Sequence, residues 1–153
     1  MVLAACSPGG EYVKSGHSFA TENDRGETNG RMFDFVSNKP DGDDWQIRIR
    51  GSSLWASYAK EDKTDPLGNA NLTEKETRKI WQLIDNLNLA DRKKGKKDED
   101  EGYVELRLRE PTDEQHELIT RFITRATEDE DVVALAEYLQ DLIKKYFKEK
   151  PNF

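Results

Sequence analysis

The chain has 153 residues, of which 35% are hydrophobic and 36% charged, and its 31 acidic and 24 basic side chains give a net charge of −7. That length fits one domain, and the acidic balance disfavours unaided binding to DNA or RNA. No run of about 20 apolar residues could cross a membrane as a helix; a single cysteine excludes an internal disulfide framework or a Cys-rich zinc site, and two histidines leave little for His-based metal or nucleophile chemistry.

Residues 1–31 and 32–153 differ in character. From Ser7 to Arg31, Gly, Ser, Thr and Asn are interleaved with charges, and Tyr12, Val13, Phe19 and Ala20 keep no period of 2 or 3.6. Such a segment cannot repay its ordering entropy by burial, so it is expected to be a flexible leader. The domain begins with a short strand, Arg31 to Ser37, carrying Phe33 and Phe35 on one side and Met32 and Val36 on the other. Lys39-Pro40-Asp41-Gly42 is a turn signature. Trp45 to Arg50 alternates cleanly, with Trp45, Ile47 and Ile49 inward and Gln46, Arg48 and Arg50 outward. Gly51-Ser52-Ser53 then reverses the chain into a third strand, Leu54 to Ala59. Asp62, Asp65, Asn69 and Asn71 are expected to line a polar loop.

Thr73 and Glu76 form a capping box, and Ile80, Leu83, Ile84 and Leu87 follow at helical spacing, with Trp81 at the edge of the stripe. Ala90 to Gly102 holds five basic residues and then four acids, which predicts a solvated loop. Tyr103 to Arg109 alternates with Val104, Leu106 and Leu108 inward, and Pro111-Thr112-Asp113 ends it. Glu117 to Arg125 fits either a helical face or a hairpin strand; its Ile and Thr content favours the strand. A final helix has acids Glu128 to Asp131 at its start and Lys144, Lys145 and Lys148 at its end. Its stripe comprises Val132, Leu135, Ala136, Leu139, Leu142, Ile143 and Tyr146. The predicted order is β-β-β-α-β-β-α, an α+β two-layer sandwich: an antiparallel sheet of about five strands with two helices on one face.

Leu3-Ala4-Ala5-Cys6 has the form of a lipobox, an aliphatic residue and two small ones before a cysteine, and it resembles the processing site of bacterial lipoproteins. The resemblance covers only these residues and the leader, and five residues precede the cysteine where a signal peptide has an apolar stretch of about 7–15. It implies that Cys6 becomes the acylated first residue of a mature protein, that the missing apolar stretch lies upstream, and that Ser7 directs the product to the outer membrane, on the periplasmic side. A leader of about 25 residues would then act as a tether with a random-coil span of roughly 25–30 Å.

Signals for catalysis or metal binding are weak. Asp41, Asp43 and Asp44 surround Gly42, but no Glu closes a calcium loop at the twelfth position. Asn71-Leu72-Thr73 matches a glycosylation acceptor, yet Thr73 is needed as a helix cap. His17 and His116 have no nucleophile motif beside them, and no phosphate-binding, nucleophile-elbow or zinc-protease motif occurs. No catalytic, metal or cofactor site is therefore assigned. The outward arginines of two strands, Arg48 and Arg50, Arg107 and Arg109, are the candidate contact face for an acidic protein, a polysaccharide or lipid head groups, with Arg121 and Arg125 joining if 117–125 is a strand. Alternatively these arginines pair across strands with Glu105 and neighbouring acids. The leading expectation is a non-catalytic envelope lipoprotein, anchored in the membrane through Cys6, with a small interaction domain. The alternatives are a soluble, inhibitor-like regulatory module of the cytoplasm and a small enzyme acting through carboxylates.

Overall fold

A computed structural model describes residues 30–61, 63–111 and 116–153. Cys6, His17, the leader up to residue 29, Asp62 and residues 112–115 lie outside the described residues. The strands are β1 (Met32–Asn38), β2 (Asp44–Arg50), β3 (Ser53–Lys60) and β4 (Lys63–Asn71), followed by helix α1 (Glu74–Asn86), β5 (Tyr103–Pro111), β6 (His116–Thr124) and helix α2 (Glu130–Phe147). They form one antiparallel sheet in the order β4-β3-β2-β1-β5-β6. The expected α+β architecture is therefore present, with one strand more than expected, and 117–125 resolves as a strand.

The extra strand is β4, where the sequence predicts a polar loop. Its residues Lys63–Asn71 are mostly exposed, and its register on β3 shifts at Ala56/Ser57. Edge strands need little apolar content; here the ladder to β3 is supplemented by Leu67, which packs against the core, and Pro66 blunts the edge against further pairing. The other edge is covered differently. The loop expected to be wholly solvated docks its first half against β6: the Phe122 N–H donates to the Lys94 carbonyl at 2.7 Å, and the Arg121 guanidinium donates to the Arg92 carbonyl at 2.7 Å. Arg92 grips Asp129, the N-cap of α2, at 2.8 and 3.1 Å. Gly95 is required here: its φ is +78°, and a Cβ would stand 2.0 Å from the Phe122 carbonyl oxygen.

One hydrophobic cluster fills the space between sheet and helices. Phe33, Phe35, Ile47, Ile49, Leu54 and Leu106 from the strands meet Ile80, Trp81, Ile84, Leu135, Leu139 and Ile143 from the helices, all at most 1% exposed. Trp81 is not at the edge of its stripe but fully buried, because its indole N–H donates to the Gly51 carbonyl at 2.9 Å and so leaves no unsatisfied polar group. The capping box forms as predicted: the Thr73 N–H donates to Glu76 at 2.9 Å, and the Glu76 N–H to Thr73 Oγ1 at 3.1 Å. Glu76 also accepts from Lys145 Nζ at 2.6 Å and the Tyr146 hydroxyl at 2.5 Å, tying α1 to α2. Burial would raise its pKa, but the hydrogen bonds from Lys145, Tyr146 and the Thr73 backbone outweigh this and bring it down to about 2.

Candidate functional site

Both helices pack on the face of the sheet that carries Phe33, Ile47 and Leu106. Among the described residues no helix or strand covers the opposite face, where Lys97 of the 90–102 loop lies over the Tyr103 and Phe122 rings at one end. In antiparallel pairing, residues directly opposite one another project on the same side, so the register writes that open face as rows across the strands. The central row is Asn69, Trp55, Arg48, Asp34, Arg107 and Thr120. The next is Asn71, Ser53, Arg50, Met32, Arg109 and Leu118.

The four arginines singled out in the sequence do share this face, but they divide into two kinds. In the central row Asp34 lies between Arg48 and Arg107. Arg48 donates to it at 2.7 Å, and Arg107 stands 3.7 Å from it and 3.3 Å from Glu105. Asp34 is only 5% exposed although no described helix packs on its face, since the side chains of its two neighbours roof it. The hydrogen bond to Asp34 raises the pKa of Arg48 and so holds it charged. These two arginines follow the cross-strand pairing alternative. Arg50 and Arg109 do not. Both are exposed, and each stands opposite Met32, from either side. Among the described residues neither has an acidic partner; Arg50 touches only Met32 Sδ, at 3.6 Å.

Arg121 and Arg125 do not join the face. Arg121 pairs with the inward Leu106 and so projects on the helix side, where it holds the 92–94 loop, and Arg125 donates to the Asn152 carbonyl at 3.3 Å. A one-residue offset along a strand reverses the face, and the register of β6 could not be read from the sequence. Two residues of this face escaped sequence reasoning. Asp34 gives a faint signal, a lone acid alternating with Phe33 and Phe35, but its partners depend on strand order. Trp55 has no signal of its own beyond lying in the third strand; its register opposite Arg48 puts it on the open face.

Arg48, Arg50, Ser53, Trp55 and Asn69 line a shallow depression of about 210 Å³ on the open face. Several acids elsewhere are committed to structure. Asp41 accepts from the Asp43 N–H at 3.0 Å and Asp44 from the Lys39 N–H at 2.9 Å, both turn contacts. Asp85 and Glu110 meet on Arg31, which lies 4.7 Å over the Trp81 ring. Among the described residues no cluster of three or more His, Cys, Asp or Glu is placed to hold a metal, and no helix is long and apolar enough to cross a membrane. The arrangement supplies guanidinium, indole, amide and hydroxyl groups on a sheet face that no described helix or strand covers, which is chemistry for binding an anion. No protein-family model matches the chain, and no curated protein matches its sequence.

Proposed function

We propose that this chain is a non-catalytic binding protein of the bacterial cell envelope, held by an acylated Cys6 on the periplasmic side of the outer membrane, whose open sheet face contacts an anionic envelope partner. The observation that carries the binding role is the row Arg50–Met32–Arg109–Leu118: two guanidiniums without acidic partners among the described residues, beside a methionine and a leucine that is 62% exposed. Arginine and methionine are enriched where proteins make contacts, and a desolvated arginine–carboxylate pair is stronger than a lysine's point charge. The anchor rests on the lipobox-like Leu3-Ala4-Ala5-Cys6.

Two substitutions separate anchor from face. In the full-length gene product, Cys6→Ser is expected to shift the protein from the membrane to the soluble fraction; unchanged partitioning removes the anchor and leaves a soluble interaction module. With Cys6→Ser as background, binding to isolated envelope fractions is expected to fall steeply with salt, and Arg50→Glu with Arg109→Glu is expected to abolish it. Binding unaffected by that double substitution overturns the role of the face.

A further inference from the structure

We infer that the depression beside Trp55 is a subsite for one hexuronate unit of an anionic polysaccharide. This rests on the open face being a binding surface and names what it binds. Arg50 offers a guanidinium whose one polar contact among the described residues is the Met32 thioether. Trp55, Ser53 and Asn69 line the same depression, and the indole N–H, the hydroxyl and the side-chain amide make no hydrogen bond within the described residues. Arg48 lines it too but is already engaged by Asp34, so one guanidinium is left for a carboxylate. The groups on offer are thus mostly donors: a charged fork for an oxyanion, and single donors for ring hydroxyls around an apolar indole surface that can face the C–H side of a sugar.

Size and edges argue against a peptide. About 210 Å³ is below the volume of drug-sized pockets and suits a single small ring. A peptide adding to a sheet needs a free edge, whereas Pro66 interrupts the donors of β4 and the Phe122 N–H of β6 is occupied by Lys94. A bare phosphate would use Arg50 but would leave the indole and amide without a role. Arg109 lies two strands from Arg50, roughly 10 Å away at the Cα atoms, and is placed to meet the carboxylate of a neighbouring unit of the polymer.

The test is titration of the full chain with trigalacturonate, its methyl ester and inorganic phosphate, followed by backbone amide NMR. Trigalacturonate is expected to shift the amides of Ser53, Trp55 and Asn69. Removing its charge as the ester is expected to weaken binding at least tenfold, as are Arg50→Gln and Trp55→Ala in the protein. Trp55→Phe, which keeps an aromatic face but not the indole N–H, is expected to bind with an affinity between those of the wild type and Trp55→Ala. Equal binding of the ester, phosphate matching the saccharide, or no shift at these amides each overturns the assignment. Loss of envelope binding in the Arg50/Arg109 double variant alongside such a failure would leave the binding role of the face standing and remove only the saccharide.

Discussion

The two faces of this sheet use the same residue types to opposite ends. On the covered face charged groups at the margin of the core are held by partners within the fold: Arg31 by Asp85 and Glu110, Glu76 by Lys145 and Tyr146, Arg92 by Asp129, and Arg121 by the carbonyls of Ala90 and Arg92. On the open face only the central row is matched, around Asp34, while the row beside it holds Arg50 and Arg109 uncompensated among the described residues. A charge whose partner lies within the fold contributes to stability or neutralises itself; one left without a partner on an ordered surface is available to another molecule. Stability and binding are therefore separable here, and substitutions on the two faces should separate them.

The largest effect is expected on the covered face. Trp81→Ala removes a fully buried indole together with its bond to Gly51 and its contact with Arg31, and should cost about 4 kcal/mol in urea denaturation. Asp34→Asn tests the ion-pair cluster of the open face. It leaves two arginines facing each other across a neutral amide, and because those arginines are about a third exposed the cost should be smaller, about 2 kcal/mol. A midpoint equal to wild type would show that the central row is as dispensable as its neighbour.

A pH dependence distinguishes Glu76 from surface acids. Its pKa is about 2 in the fold and 4.5 in the ordinary carboxylate, so its contribution is fully present above pH 4.5 and is lost as pH falls toward 2. Glu76→Gln should flatten the stability profile over that window while changing little in its slope above it. The smallest effect is expected for Arg50→Gln with Arg109→Gln, which should move stability by less than about 0.5 kcal/mol because neither side chain holds anything in place. A larger loss would mean that these arginines support the fold, and would collapse the contrast between the two rows.

The sequence by itself determined the elements whose burial is periodic. Alternation identifies β1, β2 and β5, the capping box starts α1, and the charge-flanked apolar stripe defines α2, because each pattern records which side chains leave water. It also put the four outward arginines on two strands. Only the tertiary structure decided which of them are neutralised, since strand order brings Asp34 of β1 between Arg48 of β2 and Arg107 of β5, residues far apart in the chain. It likewise revealed β4, whose ladder bonds require no hydrophobic pattern, and turned Arg121 inward, because its face depends on a register that a single strand does not carry. Local pattern encodes burial; pairing across the sheet encodes which charges find partners, and that information is not local.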